Sequence, residues 1–449
     1  MTGHTAARWI GVAFLAAVLP ASAQYLTPVG DELQVNTYTP SDQTNPALAI
    51  TDLGDMVVVW SSDGSAGLDT SRTSVLGQRL TAEGGFLGGE FEVNTYTTSY
   101  QLLPAVAAGV GGEFVVVWAS DGSPGSDSSF YSVHAQPFTG DGTPLGSQLQ
   151  VNTYTTNDQS FPAVAADNEG EFVVVWHSAG SFGDDSNGRS IQAQRFSRAA
   201  EPIGGQLQVN SLTSSDQADP AVAMAADGSF VVVWMSTAGS DGSGRSIQGQ
   251  RFDTEGSPLG GEFQVNTYFT GHQYNPAVTT LPGGGFVVAW SSNGSSGTDS
   301  DYAVLAQRFS PFGQPVGGEL QVNSWTTSFQ TMPSVGAGPD GSLVAVWRSG
   351  NEVDTGPDGD LSGVSRRTFL ADGSPYGEEL VVNRYTTSTQ SAPEVTAGPG
   401  EALVVVWQSD GGVDTDPDLA IEAQRFDGSA MFGDGFETGD TSAWSATVG

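Results

Sequence analysis

The first candidates for chemistry in this chain are aspartates that recur at one spacing. Asp69, Asp127, Asp185, Asp299 and Asp416 each stand nine residues after a recurring tryptophan, and Asp241 follows its tryptophan by seven. Each lies in a run rich in Gly, Ser and Asp, such as ASDGSPGSDSSFYS from Ala119 to Ser132. Loops longer than about 12 residues without regular structure are often functional. Asp69, Asp127, Asp185, Asp241 and Asp299 are therefore the candidate ligand-binding residues. Carboxylates interleaved with glycine also suit Ca2+, which takes about six to eight oxygen ligands from such loops. On that ground Asp414, Asp416 and Asp418, at alternate positions, and Asp354, Asp358 and Asp360 are candidate Ca2+ ligands. No segment reproduces a helix-flanked calcium loop. The competing reading of the same residues is turn chemistry, with Asp-Gly and Ser-Gly making turns and the acids keeping the surface solvated.

Catalytic sets are sparse. The chain has no cysteine, so a thiolate nucleophile, a thiolate metal site and a disulfide frame are excluded. All 14 basic residues are arginine, which removes lysine-based chemistry. His134, His177 and His272 fall in different repeats without a paired motif. Two carboxylates about 5–10 Å apart would serve glycoside cleavage, but spacing alone selects no pair from 50 acids. The net charge of -36 repels phosphate backbones and excludes nucleic acid as a partner. An apolar fraction of 38% is too high for a disordered acidic tail.

A repeat must position these residues. Val-Asn-Thr, or a close variant, places Asn36, Asn94, Asn152, Asn210, Asn266, Asn323 and Asn383 at intervals of 56 to 60 residues. Trp60, Trp118, Trp176, Trp234, Trp290, Trp347 and Trp407 keep the same rhythm, and a glutamine follows each asparagine by seven, from Gln43 to Gln390. Each unit holds four strand-like runs: a short one of small residues, a continuously apolar one (Phe114 to Trp118), and two that alternate. Such periods mean propellers, solenoids or arrays. A strand buried on both faces is apolar throughout, which places Val-Val-Val-Trp second in a propeller blade. The first copy of the outermost strand, Glu32 to Thr37, precedes the first unit, and none follows Ile421 to Phe426. The expectation is therefore an all-β, seven-bladed β-propeller of four-stranded blades, closed by its N-terminal strand. Pro137, inside a third strand, predicts a local bulge. The recurring Asn, Gln and Trp are expected to be structural, because a ligand site is single whereas a structural device is repeated. Tyr38 and its counterparts in the loops could stack on sugar rings.

Residues 1–23 read as a secretory signal peptide, with Arg8, an apolar run from Trp9 to Leu19 and a small-residue cleavage site at PASA. The propeller is expected over residues 24–428 and a C-terminal tail over 429–449.

The unit Pro-Ala-Val-Ala, Phe-Val-Val-Val-Trp, Ala-Gln-Arg-Phe, Val-Asn-Thr resembles repeats of large secreted bacterial surface proteins, some of which carry haemolysin-type calcium-binding repeats. It covers Glu32 to Phe426. The resemblance implies a secreted bacterial propeller and assigns no reaction. Arg366, Arg367 and Thr368 depart from the pattern, as do Gly77 and Leu80. The tail around Gly433 to Trp444 is similar to Asp-Gly-Phe-Glu-Ser-Gly segments of exported bacterial proteins. The leading expectation is a secreted, non-enzymatic binding or scaffolding monomer at the cell surface or outside the cell, with the periplasm as the alternative. Its partner would be a glycan or a cell-surface protein held on the acidic loop face with help from Ca2+, with no membrane span. The competing expectation is an extracellular carbohydrate-active enzyme, a glycoside hydrolase or lyase, with a central acidic site.

Overall fold

The computed structural model describes residues 26–428 apart from loop positions 65–68, 70–71, 123–124, 128, 182, 186, 238–243, 295–301, 351–358, 360, 399–401 and 413–415. These residues form seven antiparallel four-stranded sheets arranged as the blades of a β-propeller. In the first blade Gln43–Ile50 is innermost, followed by Met56–Asp63, Thr73–Leu80 and the short outer strand Phe91–Glu92. In the seventh blade the outer strand is Thr27–Gln34, hydrogen-bonded to Leu419–Asp427 in the register Leu33↔Ala423 and Gln34↔Glu422. The N-terminal strand closes the ring, as the strand count requires. Closure leaves the third strand of the last blade no free edge.

Packing explains the composition of each strand. Side chains of a second strand alternate between two neighbouring blades. Val57 and Val59 face Val116 and Trp118 of the next blade, while Val58 and Trp60 face Val404 and Val406 of the preceding one. The seven tryptophans of the repeat are fully buried. Each buried Val or Phe contributes about 1.5–3 kcal/mol. Adjacent blades are also stitched through polar groups. Glu90 Oε2 accepts from Thr37 N and Tyr38 N, and Glu32 Oε2 repeats this at the closure with Tyr385 N. Gln148 and Glu262 do the same in other blades.

Pro137 meets its expectation on one side only: toward the outer edge the pairing slips between Ala135↔Leu149 and Phe138↔Pro144, but not toward the second strand. It pairs with Val115 without a register shift. Its carbonyl accepts from Leu145 N on the outer side, so the missing N–H also points to the outer edge, where a ladder bond is least needed. Arginine occupies that position in five other blades, and Arg198 compensates locally by bonding Glu113 across the boundary at 2.8 Å.

Register shifts occur on the inner strands in all seven blades, and others lie between third and outer strands. Thr44 pairs with Ser61 and Ala47 with Val59, so Asn45 and Pro46 together oppose Trp60. The same slip recurs in every other blade. Two residues against one is the geometry of a β-bulge, and proline without its N–H suits it.

Candidate functional site

Asp69, Asp127 and Asp185 lie at the end of the ring that bears the loops between second and third strands, but their carboxylates point inward. Each is 1% exposed. Their Oδ2 atoms accept from Asn94, Asn152 and Asn210 Nδ2 at 3.1, 2.9 and 2.8 Å. Each of these amides also donates to the backbone carbonyl two residues on and accepts from a third-strand N–H, as Asn94 does from Val75 N at 2.8 Å. The asparagine is thus a hub with its donors and acceptor engaged, and the aspartate ties the long loop to it. Asp241 and Asp299 lie outside the described residues.

Of the candidate Ca2+ ligands, Asp354, Asp358, Asp360 and Asp414 also lie outside the described residues. Asp416 is 4% exposed, with Oδ2 held by Asn36 Nδ2 at 3.1 Å and Oδ1 accepting from Asp418 N at 3.2 Å. Asp418 Oδ2 accepts from Ser41 N. These donors occupy lone pairs that a cation would need, and the pair has the geometry of a capped turn. Among the described residues no group of three or more acidic or histidine side chains could hold a metal ion.

The other recurring residues are likewise structural. Gln43 Oε1 accepts from Trp60 Nε1 at 2.9 Å, a pairing repeated at Trp118–Gln101, Trp234–Gln217 and Trp347–Gln330. The tyrosine hydroxyls lie against the turn glycines. A Cβ on Gly180, whose φ is +93°, would meet the Tyr154 hydroxyl at 2.6 Å.

Non-repeated chemistry sits on the axis. The inner strands of all seven blades enclose a cavity of about 760 Å³, within the roughly 300–1,000 Å³ usual for small-ligand sites. At its mouth stand the bulge residues Asn45, Leu103, Phe161, Asp219, Asn275, Met332 and Ala392, all with φ between 49° and 56°. Each precedes a proline, and six residue types fill the seven positions, asparagine twice. Phe161 is 44% and Met332 40% exposed. Strained backbone of this kind clusters where side chains are held for use. Just below the rim, Glu394 stands where five blades carry alanine. Its Oε2 accepts from Ser334 Oγ at 2.8 Å. The side chain opens into the lumen while seven strands encircle it, and that shortage of water pushes its pKa up to about 7. Burial also raises Asp219, against the opposing pull of Arg189 and Arg245. Asn45, Phe161, Asp219, Asn275, Met332 and Glu394 were not singled out by spacing. The signal in the sequence was the inverse of a motif: the variable residue before a repeated proline, and one glutamate in an alanine ladder.

No family model matches the sequence, and no curated protein does. Solved structures match at the level of fold alone. An unknown-function protein from Dyadobacter fermentans aligns with TM-score 0.53 and 10% identity over 90% of this chain and 99% of its own. An ulvan lyase, solved with bound saccharide, gives 0.52 and 10% over 87% and 95%. The polysaccharide lyase Uly1 gives 0.51 and 8% over 89% and 100%. Among the described residues no helix is long and apolar enough to cross a membrane.

Proposed function

We propose that this chain is a secreted carbohydrate-binding propeller whose ligand seats in the axial funnel, at the end that carries the long loops. The observation that carries this reading is the rim. A wall built from seven near-identical strands presents seven positions that combine an exposed phenylalanine, two amides, a carboxylate and apolar side chains. Aromatic faces pack on the apolar faces of sugar rings, and amides offer donors and acceptors together to hydroxyls. Propellers of the same fold that act on polysaccharides are consistent with it. Secretion follows from the leader-like residues 1–23 and is tested by finding Gln24 at the mature N-terminus.

The test is a panel of neutral, basic and acidic oligosaccharides screened by thermal shift and titration calorimetry, because a ligand of the folded state raises its stability. Binding that weakens about tenfold in Phe161→Ala supports the funnel, corresponding to about 1.4 kcal/mol. Binding untouched by Phe161→Ala and by Met332→Ala places the ligand elsewhere. A catalytic reading draws on Glu394, whose raised pKa suits a general acid near neutral pH. It predicts turnover of a bound glycan that Glu394→Gln abolishes.

A further inference from the structure

The axial wall departs from its repeat at two adjacent places. One residue after the bulge proline, five blades carry Ala47, Ala105, Ala163, Ala221 and Ala277, the sixth carries Ser334 and the seventh Glu394. Ser334 and Glu394 line the cavity and meet across the boundary between the last two blades. Val395 N donates to Ser334 Oγ at 3.2 Å, which leaves the hydroxyl hydrogen directed at Glu394 Oε2. The serine thus holds one carboxylate oxygen in place. The other oxygen has no hydrogen-bond donor among the described contacts, and the side chain is open to the lumen. Among the described residues no arginine adds to this: burial raises the carboxyl's pKa and the Ser334 hydrogen bond opposes it. The sequence contains no lysine. When ionised, this carboxylate has no counter-charge among the described residues, and a cationic ligand would supply one.

Resting on the reading of the funnel as a glycan site, we propose that Glu394, positioned by Ser334, selects a basic glycan by pairing with the ammonium of an amino sugar. Asp219 on the rim adds a second carboxylate, with Arg189 and Arg245 acting on it, and a chain with net charge -36 disfavours polyanionic glycans. A charge-assisted hydrogen bond is stronger than its neutral counterpart. An ammonium would also favour the ionised form of Glu394 against the burial that disfavours it. A glycan is favoured over a protein lysine because the rim of the same cavity presents Asn45, Asn275 and exposed Phe161, which suit hydroxyls and ring faces.

The experiment compares a glucosamine hexamer with its N-acetylated form by calorimetry with the full chain at pH 6. Salt is set at about 0.15 M, where surface charges more than about 8 Å away are screened. Acetylation removes the charge and keeps the backbone. The expected result is at least tenfold tighter binding of the free amine, a preference that Glu394→Gln erases while weak binding of the acetylated form persists. Ser334→Ala should reduce the preference without erasing it. Equal binding of both hexamers, or a preference intact in Glu394→Gln, overturns the proposal. Oligolysine bound as tightly as the glucosamine hexamer, with the same dependence on Glu394, also overturns it by assigning the site to a protein amine. If no sugar of any class binds, the glycan reading of the funnel itself fails. Glu394→Gln is verified as folded by its thermal transition.

Discussion

Asn36 Nδ2 donates to Asp416 Oδ2 at 3.1 Å across 380 residues of chain, and Asn36 Oδ1 accepts from Ile421 N at 2.7 Å. The bond joins the N-terminal strand to the last long loop. Removing the amide takes one donor from a buried carboxylate that keeps Gln34 and Asp418 N, and strands the Ile421 N–H, each loss costing about 1–3 kcal/mol. Asn36→Ala is expected to lower stability by about 3 kcal/mol in urea unfolding. A loss below about 0.5 kcal/mol would show that the hub is not needed for closure.

The N-terminal strand covers the edge of Leu419–Asp427. Deleting residues 24–34 is expected to expose that edge to other chains. Size-exclusion chromatography should show dimers or aggregates absent from the full chain. Arg366 reinforces the same junction, donating from Nη2 to Leu26 O at 2.7 Å while its guanidinium lies 4.6 Å from the Phe426 ring centroid. Arg366→Met should lower the melting temperature.

Two buried histidines set an acid limit. Burial pushes His134 down to about 4 and His177 down to about 3. Gln148 Nε2 can only donate to His134 Nδ1, so the neutral ring carries its proton on Nε2, facing Ser132 Oγ. The unfolded chain binds protons at these positions near pH 6.5 and the folded chain does not, so their contribution is complete above pH 6.5 and is lost as pH falls toward 4. His134→Gln should flatten the fall in stability between pH 6.5 and 5. Gln192 already fills the equivalent place in the third blade, with Ser190 and Gln206 as partners. An unchanged slope would argue against His134.

Glu394 acts in the opposite sense. Its folded pKa of about 7 lies above the ordinary 4.5, so the folded state holds the extra proton and stability is lost as pH rises through 7. Glu394→Gln mimics the protonated form and should melt higher than wild type at pH 8, with little difference at pH 4.5. Equal melting temperatures at pH 8 would show that the ionised carboxylate is at no disadvantage in the channel.

Gly180 packs against Tyr154 with φ +93°. Gly180→Ala is expected to cost about 1–3 kcal/mol, from left-handed strain and contact with the hydroxyl. Tyr154→Phe in the same chain should recover part of it, a coupling readable in a double-mutant cycle.

Sequence alone determined the seven units, the identity of the doubly buried Val-Val-Val-Trp strand and the closure of the last blade by an N-terminal strand, which runs over Thr27–Gln34 rather than Glu32 to Thr37. Those features follow from burial periodicity along a strand and from counting strands, and both are local properties. It also identified the repeated Asn, Gln and Trp as structural, since whatever recurs in every blade serves every blade. Tertiary structure alone decided which way the aspartates face, because Asp185 meets Asn210 only once the third and outer strands pair. It likewise placed a bulge at each residue before the inner proline and kept Pro137 in register with the second strand, since the direction of a missing N–H depends on the partner strand. The juxtaposition of Ser334 with Glu394 lies 60 residues apart in sequence. It exists because neighbouring inner strands are brought side by side around one axis, and a hydrogen bond between blades has no counterpart in the spacing of a single repeat.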